Sequence, residues 1–301
     1  MKEICAVVVT YNRVTLLEQC IGQIQKQTTS CDILIVDNDS TDGTRIFAEG
    51  KASEDPAVRY FNTGKNLGGA GGFCFGINRA VSLGYELIWI MDDDTCPTED
   101  ALENLLNADR ELQGQYGWLS SAALWTDGSR CLMNRQRKTP YRDIDDADGR
   151  SMIPSVMASF VSLLLRKQVV LEYGLPISEF FVWGDDWEYT RRISLKLKCY
   201  TVPSSKVIHR MKENRTVSIA RETPDRLDRY SYFYRNDLYI YRREGLAGWV
   251  WILLKDLWHT VQVLLFSKTM LGHRIKTIWS GLWKGFSFHP APPRCTEPGE
   301  L

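Results

Sequence analysis

The chain has 301 residues, 44% hydrophobic and 25% charged, with 37 basic and 37 acidic side chains. That is the composition of an ordinary globular protein with a sizeable core, and its zero net charge gives no reason to expect a nucleic-acid partner. The charge is unevenly spread: residues 1–204 carry 21 Lys and Arg against 28 Asp and Glu, and residues 205–301 carry 16 against 9. An acidic part is thus followed by a basic segment suited to an anionic surface.

In chain order, Ile4–Val9 reads as a buried strand and Thr15–Gln25 as a helix with Leu16, Leu17, Cys20, Ile21 and Ile24 on one face. Ile33–Val36 is a second strand ending on Asp37-Asn38-Asp39-Ser40, and Thr44–Lys51 a second helix. Val58–Asn62 is a short strand, followed by the glycine-rich stretch GKNLGGAGGFCFG, a helix over Phe73–Leu83 and a strand over Leu87–Met91. Strands separated by helices predict βαβ units and a parallel sheet, whose ligands lie beyond the carboxyl ends of the strands. The polar clusters Thr10-Tyr11-Asn12, Asp37-Asn38-Asp39 and Asp92-Asp93-Asp94 all fall at such ends.

The middle is less regular. Residues 134–151 read as a polar loop, Ser155–Arg166 as a strand or buried segment, and Cys199–Val202 as a strand leading to VIHR. From about residue 225 the pattern is helical and aromatic, and residues 290–301, with four prolines, read as a loose tail. The eight cysteines include no C-x-x-C pair, so reduced thiols in a cytosolic compartment are expected, with neither a disulfide framework nor a zinc site. The N-terminus lacks the features of a signal peptide, and no apolar run reaches the length of a transmembrane helix.

An apolar strand running into three carboxylates predicts a positive partner at its end. Asp92 and Asp94, alternate carboxylates, suit a divalent Mg²⁺ or Mn²⁺ that keeps positions for phosphate oxygens; the competing reading is an acidic helix N-terminus announced by Pro97 and Glu99. The glycine-rich stretch fits neither a P-loop nor a dinucleotide fingerprint, and both a close approach to an anion and a simple flexible loop remain open. GDDWEY (184–189) offers Asp185, Asp186 and Glu188 as candidate bases or as helix N-terminal acids. His209 is the one histidine outside the helical C-terminal region, and could complete a site of two carboxylates and an imidazole.

Together VVVTYNR, IVDNDSTDGT, NLGGAGG, IMDDDT and FFVWGDDWEY resemble the family 2 inverting glycosyltransferases of the GT-A fold, over about residues 3–215. NLGGAGG with the triple aspartate is similar to the galactofuranosyltransferases and related rhamnosyltransferases of bacterial cell-surface polysaccharides. The resemblance implies an α/β GT-A domain over 1–220 with a Rossmann-like, mostly parallel sheet, a nucleotide-sugar donor, a metal-bridged diphosphate and inversion at the anomeric carbon. It implies Thr10, Asn12, Arg13 and Asp37 by the nucleotide, and Asn66, Gly68, Gly69 and Asp93 in the donor pocket. Asp92, Asp94 and His209 would hold Mn²⁺ or Mg²⁺. Asp186 would be the base, with Asp185 standing where the family's acidic pair has Glu, and Trp183 either stacks on a sugar or packs in the core. The expected donor is UDP-galactofuranose, with dTDP-rhamnose as the rival; a nucleotidyltransferase would also use paired aspartates and metal, but needs no distant base.

Residues 225–289, with Trp249, Trp251, Trp258, Trp279 and Trp283 among interspersed cations, form a C-terminal amphipathic helical extension. Its composition suits the membrane interface, or alternatively packing on the core or on a second subunit. The resulting expectation is a peripheral protein at the inner face of the cell membrane, acting on a lipid-linked glycan.

Overall fold

The computed structural model describes residues 2–145 and 148–295. The chain divides into two compact units. One comprises Met1–Ser178, Asp186–Arg215 and Pro292–Leu301; the other comprises Glu179–Asp185 and Thr216–Ala291.

The first unit opens with β1 (Lys2–Thr10), α1 (Val14–Ile24), β2 (Asp32–Asp37), α2 (Thr44–Glu54), β3 (Val58–Asn62), α3 (Gly68–Ser82) and β4 (Tyr85–Asp92). It continues through β5 (Thr95–Pro97), α4 (Ala101–Glu111), β6 (Leu119–Leu124), β7 (Arg137–Thr139), β8 (Arg142–Asp143), β9 (Ile153–Pro154), β10 (Leu163–Arg166), α5 (Lys167–Tyr173), α6 (Asp185–Ser194) and β11 (Tyr200–His209). The main sheet has the order β3-β2-β1-β4-β10-β6-β11-β5, with β9 on β11. β1 pairs in parallel with both β2 and β4, so Thr10, Asp37 and Asp92 end at one edge.

Both faces of the sheet are covered, which is why its central strands are continuously apolar rather than alternating. Ala6, Val8, Trp89 and Met91 face Leu17, Ile21, Leu102 and Leu105 on one side. Val7, Val9, Ile88 and Ile90 face Phe73, Ile77, Val81 and Ile193 on the other.

Three expectations change. α3 begins at Gly68, five residues before the expected Phe73, so the glycine stretch is largely helix. A Cβ on Gly72 would lie 2.5 Å from Val9 Cγ1, and one on Gly76 2.5 Å from Val7 Cγ1. These glycines let α3 sit close on β1, a packing role for the stretch. Residues 134–151, expected as a polar loop, hold the β7–β8 hairpin and a buried Gln136, whose Nε2 donates to Ser121 O at 2.6 Å. The expected loose tail is tied down as far as residue 295: the Leu175 N–H donates to Pro293 O at 2.9 Å, and Cys295 Sγ lies 3.1 Å from Asn78 Oδ1. The remainder of that tail, from 296, lies outside the described residues.

The second unit holds α7 (Tyr230–Tyr241), α8 (Gly245–Phe266) and α9 (Leu271–Ser287). Its core gathers Leu227, Tyr230, Tyr234, Val263 and Ile278, with Trp183 and Trp279 packed against them. Gly281 and Gly285 of α9 leave no room for a Cβ against α7: one at 281 would lie 2.8 Å from Tyr234 Cβ. The Arg274 guanidinium on α9 donates to Ile219 O, Thr269 O and Glu222 O, closing the stretch before α7 onto α9.

Candidate active site

Two reversals of direction bring His209 to the acids. β10 runs antiparallel to β4 and to β6, so β6 runs with β4; β11 pairs in parallel with β6. The C-terminal end of β11 therefore lies at the same sheet edge as the C-terminal end of β4. β5 turns back to pair antiparallel with β11, setting His209 opposite Thr95, and the Arg210 N–H donates to Asp94 O at 2.8 Å. The acids are thus followed by a strand, which excludes the helix N-terminal reading of the triple aspartate.

At this edge one ligand atom each from Asp92, Asp94 and His209 lies within 4.8 Å of the others. His209 Nε2 is 2.8 Å from Asp94 Oδ1. Its Nδ1 is 2.7 Å from Asn134 Oδ1, the same oxygen that lies 3.1 Å from Cys131 Sγ. A thiol donates to that oxygen, so Asn134 is the acceptor and His209 donates from Nδ1, while Nε2 donates to the Asp94 carboxylate: the ring is an imidazolium. Asn134 holds the Nδ1 proton in place, so it is the Nε2 proton whose loss would free a lone pair for a cation.

The electrostatics suit a cation beside Asp92. Burial, then repulsion from Asp94, pushes the Asp92 carboxyl up to about 7. Burial pushes Asp93 up to about 6 against the pull of Arg13. Asp94 is held below the usual carboxylate range, because His209 and Arg13 outweigh its burial. Asp94 in turn raises His209 to about 10 although burial disfavours the imidazolium. Two hard carboxylate oxygens and one imidazole at this spacing are a donor set for Mg²⁺ or Mn²⁺.

The positive partner expected beyond β4 is Arg13: its Nη1 lies 3.2 Å from Asp93 Oδ1 and 2.9 Å from Asp94 Oδ2, with half of its side chain exposed. Thr10 Oγ1 donates to Asp93 Oδ2 at 2.7 Å, so Asp93 links β1 to the acid turn and faces protein partners. Asn12, at φ +54°, accepts the Thr41 N–H at 2.7 Å, while Ser40 Oγ accepts the Asn12 N–H at 2.8 Å. It therefore joins the loops after β1 and β2. Asp37 is fully buried: Oδ1 accepts the Ser40 N–H at 2.9 Å and Oδ2 the Tyr60 hydroxyl at 2.8 Å. A base would meet only the lone pairs these bonds leave. Asn66 Oδ1 caps the turn at the Gly68 N–H, Gly68 O accepts from Asn38 Nδ2 at 3.0 Å, and Gly69 has open space where a Cβ would stand.

At the start of α6, burial pushes the Asp186 carboxyl up to about 7, and Asp92 contributes to the rise, so the two carboxylates are within electrostatic reach. Asp186 Oδ1 also accepts the Trp187 N–H at 2.7 Å. Glu188 is engaged elsewhere, with both oxygens 3.0 Å from Arg192. Among the acids of GDDWEY in this unit, Asp186 is the one suited to take a proton near neutrality.

In the second unit, Asp185 is nearly buried and Trp183 packs on Tyr230 and Phe233, at centroid distances of 4.9 and 5.9 Å. Phe181 and Trp183 both have positive φ, at 63° and 64°, a costly backbone for bulky side chains. Asn236 of α7 holds it, its Nδ2 donating to Phe180 O, Val182 O and Trp183 O at 3.0, 3.1 and 2.7 Å. Sequence reasoning missed Asn134 and Asn236. Only Asn236 had a signal: a polar Arg-Asn-Asp inside an otherwise aromatic helix.

Residues 5–114 match Glycosyl transferase family 2. The chain is 29% identical over 198 residues to galactofuranosyltransferase GlfT1 of Mycolicibacterium smegmatis, covering 63% of this chain and a little under two thirds, 65%, of the relative. It is 25% identical over 287 residues to galactofuranosyltransferase GlfT1 of Mycobacterium tuberculosis, covering 87% of this chain and 94% of the relative. In fold it is similar to the mannosyltransferase PcManGT of Pyrobaculum calidifontis, solved in complex with GDP-Man and Mn²⁺, with a TM-score of 0.55, 15% identity, and 94% of this chain and 72% of that one covered. With its strand-end acids and sheet order, the chain is therefore a glycosyltransferase of the GT-A fold that carries a family 2 domain and is similar to galactofuranosyltransferases.

Proposed function

We propose that the protein transfers galactofuranose from UDP-galactofuranose, with inversion, to a hydroxyl of a lipid-linked cell-surface glycan at the inner face of the membrane. The observation that carries this reading is the meeting of Asp92, Asp94 and His209 at one sheet edge, with Asp186 in electrostatic reach. The two GlfT1 relatives supply the choice of sugar.

Asp92, Asp94 and His209 would hold Mn²⁺ or Mg²⁺, which supplies positive charge against the departing diphosphate. Arg13, half exposed beside Asp93 and Asp94, is placed to pair with a phosphate oxygen at the same edge. Asp186 takes the proton of the acceptor hydroxyl as its oxygen bonds to the anomeric carbon and the bond to the diphosphate breaks. The leaving group needs no proton, so one carboxylate suffices where a glycosidase uses two.

Incubation with UDP-galactofuranose and a cell-lipid extract should release UDP and yield a galactofuranosylated lipid. Chelation should stop this, and Mn²⁺ or Mg²⁺ should restore it. Faster turnover of dTDP-rhamnose would reassign the sugar, and release of pyrophosphate in place of a nucleoside diphosphate would reassign the reaction to nucleotidyl transfer.

A further inference from the structure

α8 places an uninterrupted apolar stripe in solvent. Leu246, Val250, Leu253, Leu257, Val261 and Leu264 are all between 41% and 81% exposed, and their spacing keeps them on one helical face. The helix's charged and imidazole groups turn away from that face: Asp256 is buried, and Lys255 and His259 are half-buried. α8 has 22 residues, and from Leu246 to Leu264, at about 1.5 Å per residue, the stripe runs roughly 27 Å. Monomeric proteins rarely leave so continuous an apolar face in water.

We infer that this face of α8 is a docking surface for an anionic phospholipid bilayer, with the helix lying in the plane of the interface. The charges around it select that occupant. Residues 242–287 hold seven Lys and Arg against two acids, and Arg243 before α8, Lys268 after it, and Lys276 and Lys284 on α9 are exposed. Two copies meeting through α8 would bring cationic ends together in either orientation, whereas anionic headgroups neutralise them. No helix among the described residues is long and apolar enough to cross a bilayer.

This reading divides residues 225–289, which the sequence treats as one amphipathic region. α7 and the inner side of α9 form a core, with Tyr230, Tyr234 and Ile278 buried and Trp279 packed against them. Trp249, Trp258 and Trp283, 39%, 56% and 76% exposed, are the tryptophans open to lipid.

The test uses the full chain with vesicles of phosphatidylglycerol and phosphatidylcholine, and with phosphatidylcholine alone. The wild type should co-sediment with the anionic vesicles and shift its tryptophan emission to the blue. L253E/L257E, on an exposed face, should keep the wild-type circular dichroism and UDP affinity while its partition coefficient falls about tenfold or more. K268Q/K276Q/K284Q should lose binding to anionic vesicles several-fold and become insensitive to salt. A wild type that ignores both vesicles and sediments as a dimer, with L253E/L257E monomeric, would overturn the inference in favour of self-association. Unchanged vesicle binding by a folded L253E/L257E would overturn it as well. Neither readout depends on the sugar transferred, so failure here leaves the catalytic proposal standing.

Discussion

Replacing Asn134 by leucine, close to it in size, removes the acceptor that fixes the His209 ring. In the native site Asn134 Oδ1 sits 2.7 Å from Nδ1 and is 3.1 Å from Cys131 Sγ, and the residue is only 9% exposed. Water therefore has little access to replace it, and a buried Nδ1–H is left without its oxygen or the ring flips tautomer and blocks Nε2. Either outcome disfavours a cation bound between Asp92, Asp94 and His209. Hydrogen bonds behind a ligating histidine are typically worth about 10–100-fold in metal affinity, or roughly 1.4–2.8 kcal/mol. Calorimetric titration of Mn²⁺ into wild type, N134L, N134D and H209A measures the effect. N134L should weaken binding within that range, and N134D, whose carboxylate accepts the same proton, should restore it. If N134L binds Mn²⁺ as tightly as wild type while H209A does not, the tautomer argument is wrong. If H209A itself is unimpaired, the ligand set is wrong.

Asp186→Asn should keep the fold and UDP binding but lose about 10²–10⁴-fold in transfer. A base must be ionised to act, so with its carboxyl pushed to about 7 wild-type kcat/KM should fall as pH drops through that value, and the limb should be shallower in D186N, where Asp92, also near 7, still titrates. Retained activity in D186N would move the role to Asp185. Because His209 is raised to about 10, it is an imidazolium at pH 7.5, and a cation must displace that proton. Mn²⁺ titrations in buffers of different ionisation enthalpy should show about one proton released, with affinity rising as pH rises toward 10; zero release would sink the protonated resting state. Gly72→Ala places a Cβ 2.5 Å from Val9 Cγ1 and 2.8 Å from Asn38 Nδ2 and should cost about 1–3 kcal/mol in chemical denaturation. Gly50→Ala, in α2 with nothing within 4 Å, should stabilise by about 0.5–1 kcal/mol, and equal effects at the two positions would refute the packing account of the glycine stretch.

Periodicity and strand ends are local properties, and they were legible. The succession from β1 to β4 and the placing of Asp37 and Asp92 at carboxyl ends followed from residues near one another in the chain; the pairing of the acids with Arg13, 80 positions before Asp93, did not. The glycine stretch misled because glycine weakens an isolated helix; α3 extends back through it because close contact with Val7, Val9 and Val36 outweighs that propensity. The cluster of Asp92, Asp94 and His209 could be named from the sequence as a candidate metal site but not built. His209 meets Asp94 across 115 positions only because β10 and β5 reverse the chain, and Asn134 reaches His209 from a stretch that reads as polar loop. In the C-terminal helices, composition marked tryptophans and cations but could not sort them. Which side of each helix faces protein was decided by α7 packing on α9, leaving the outer face of α8 bare. Chain-local patterns carry the elements, since each residue's period is set by its own backbone; the site and the exposed face depend on which distant elements pack together, and that is a property of the whole fold.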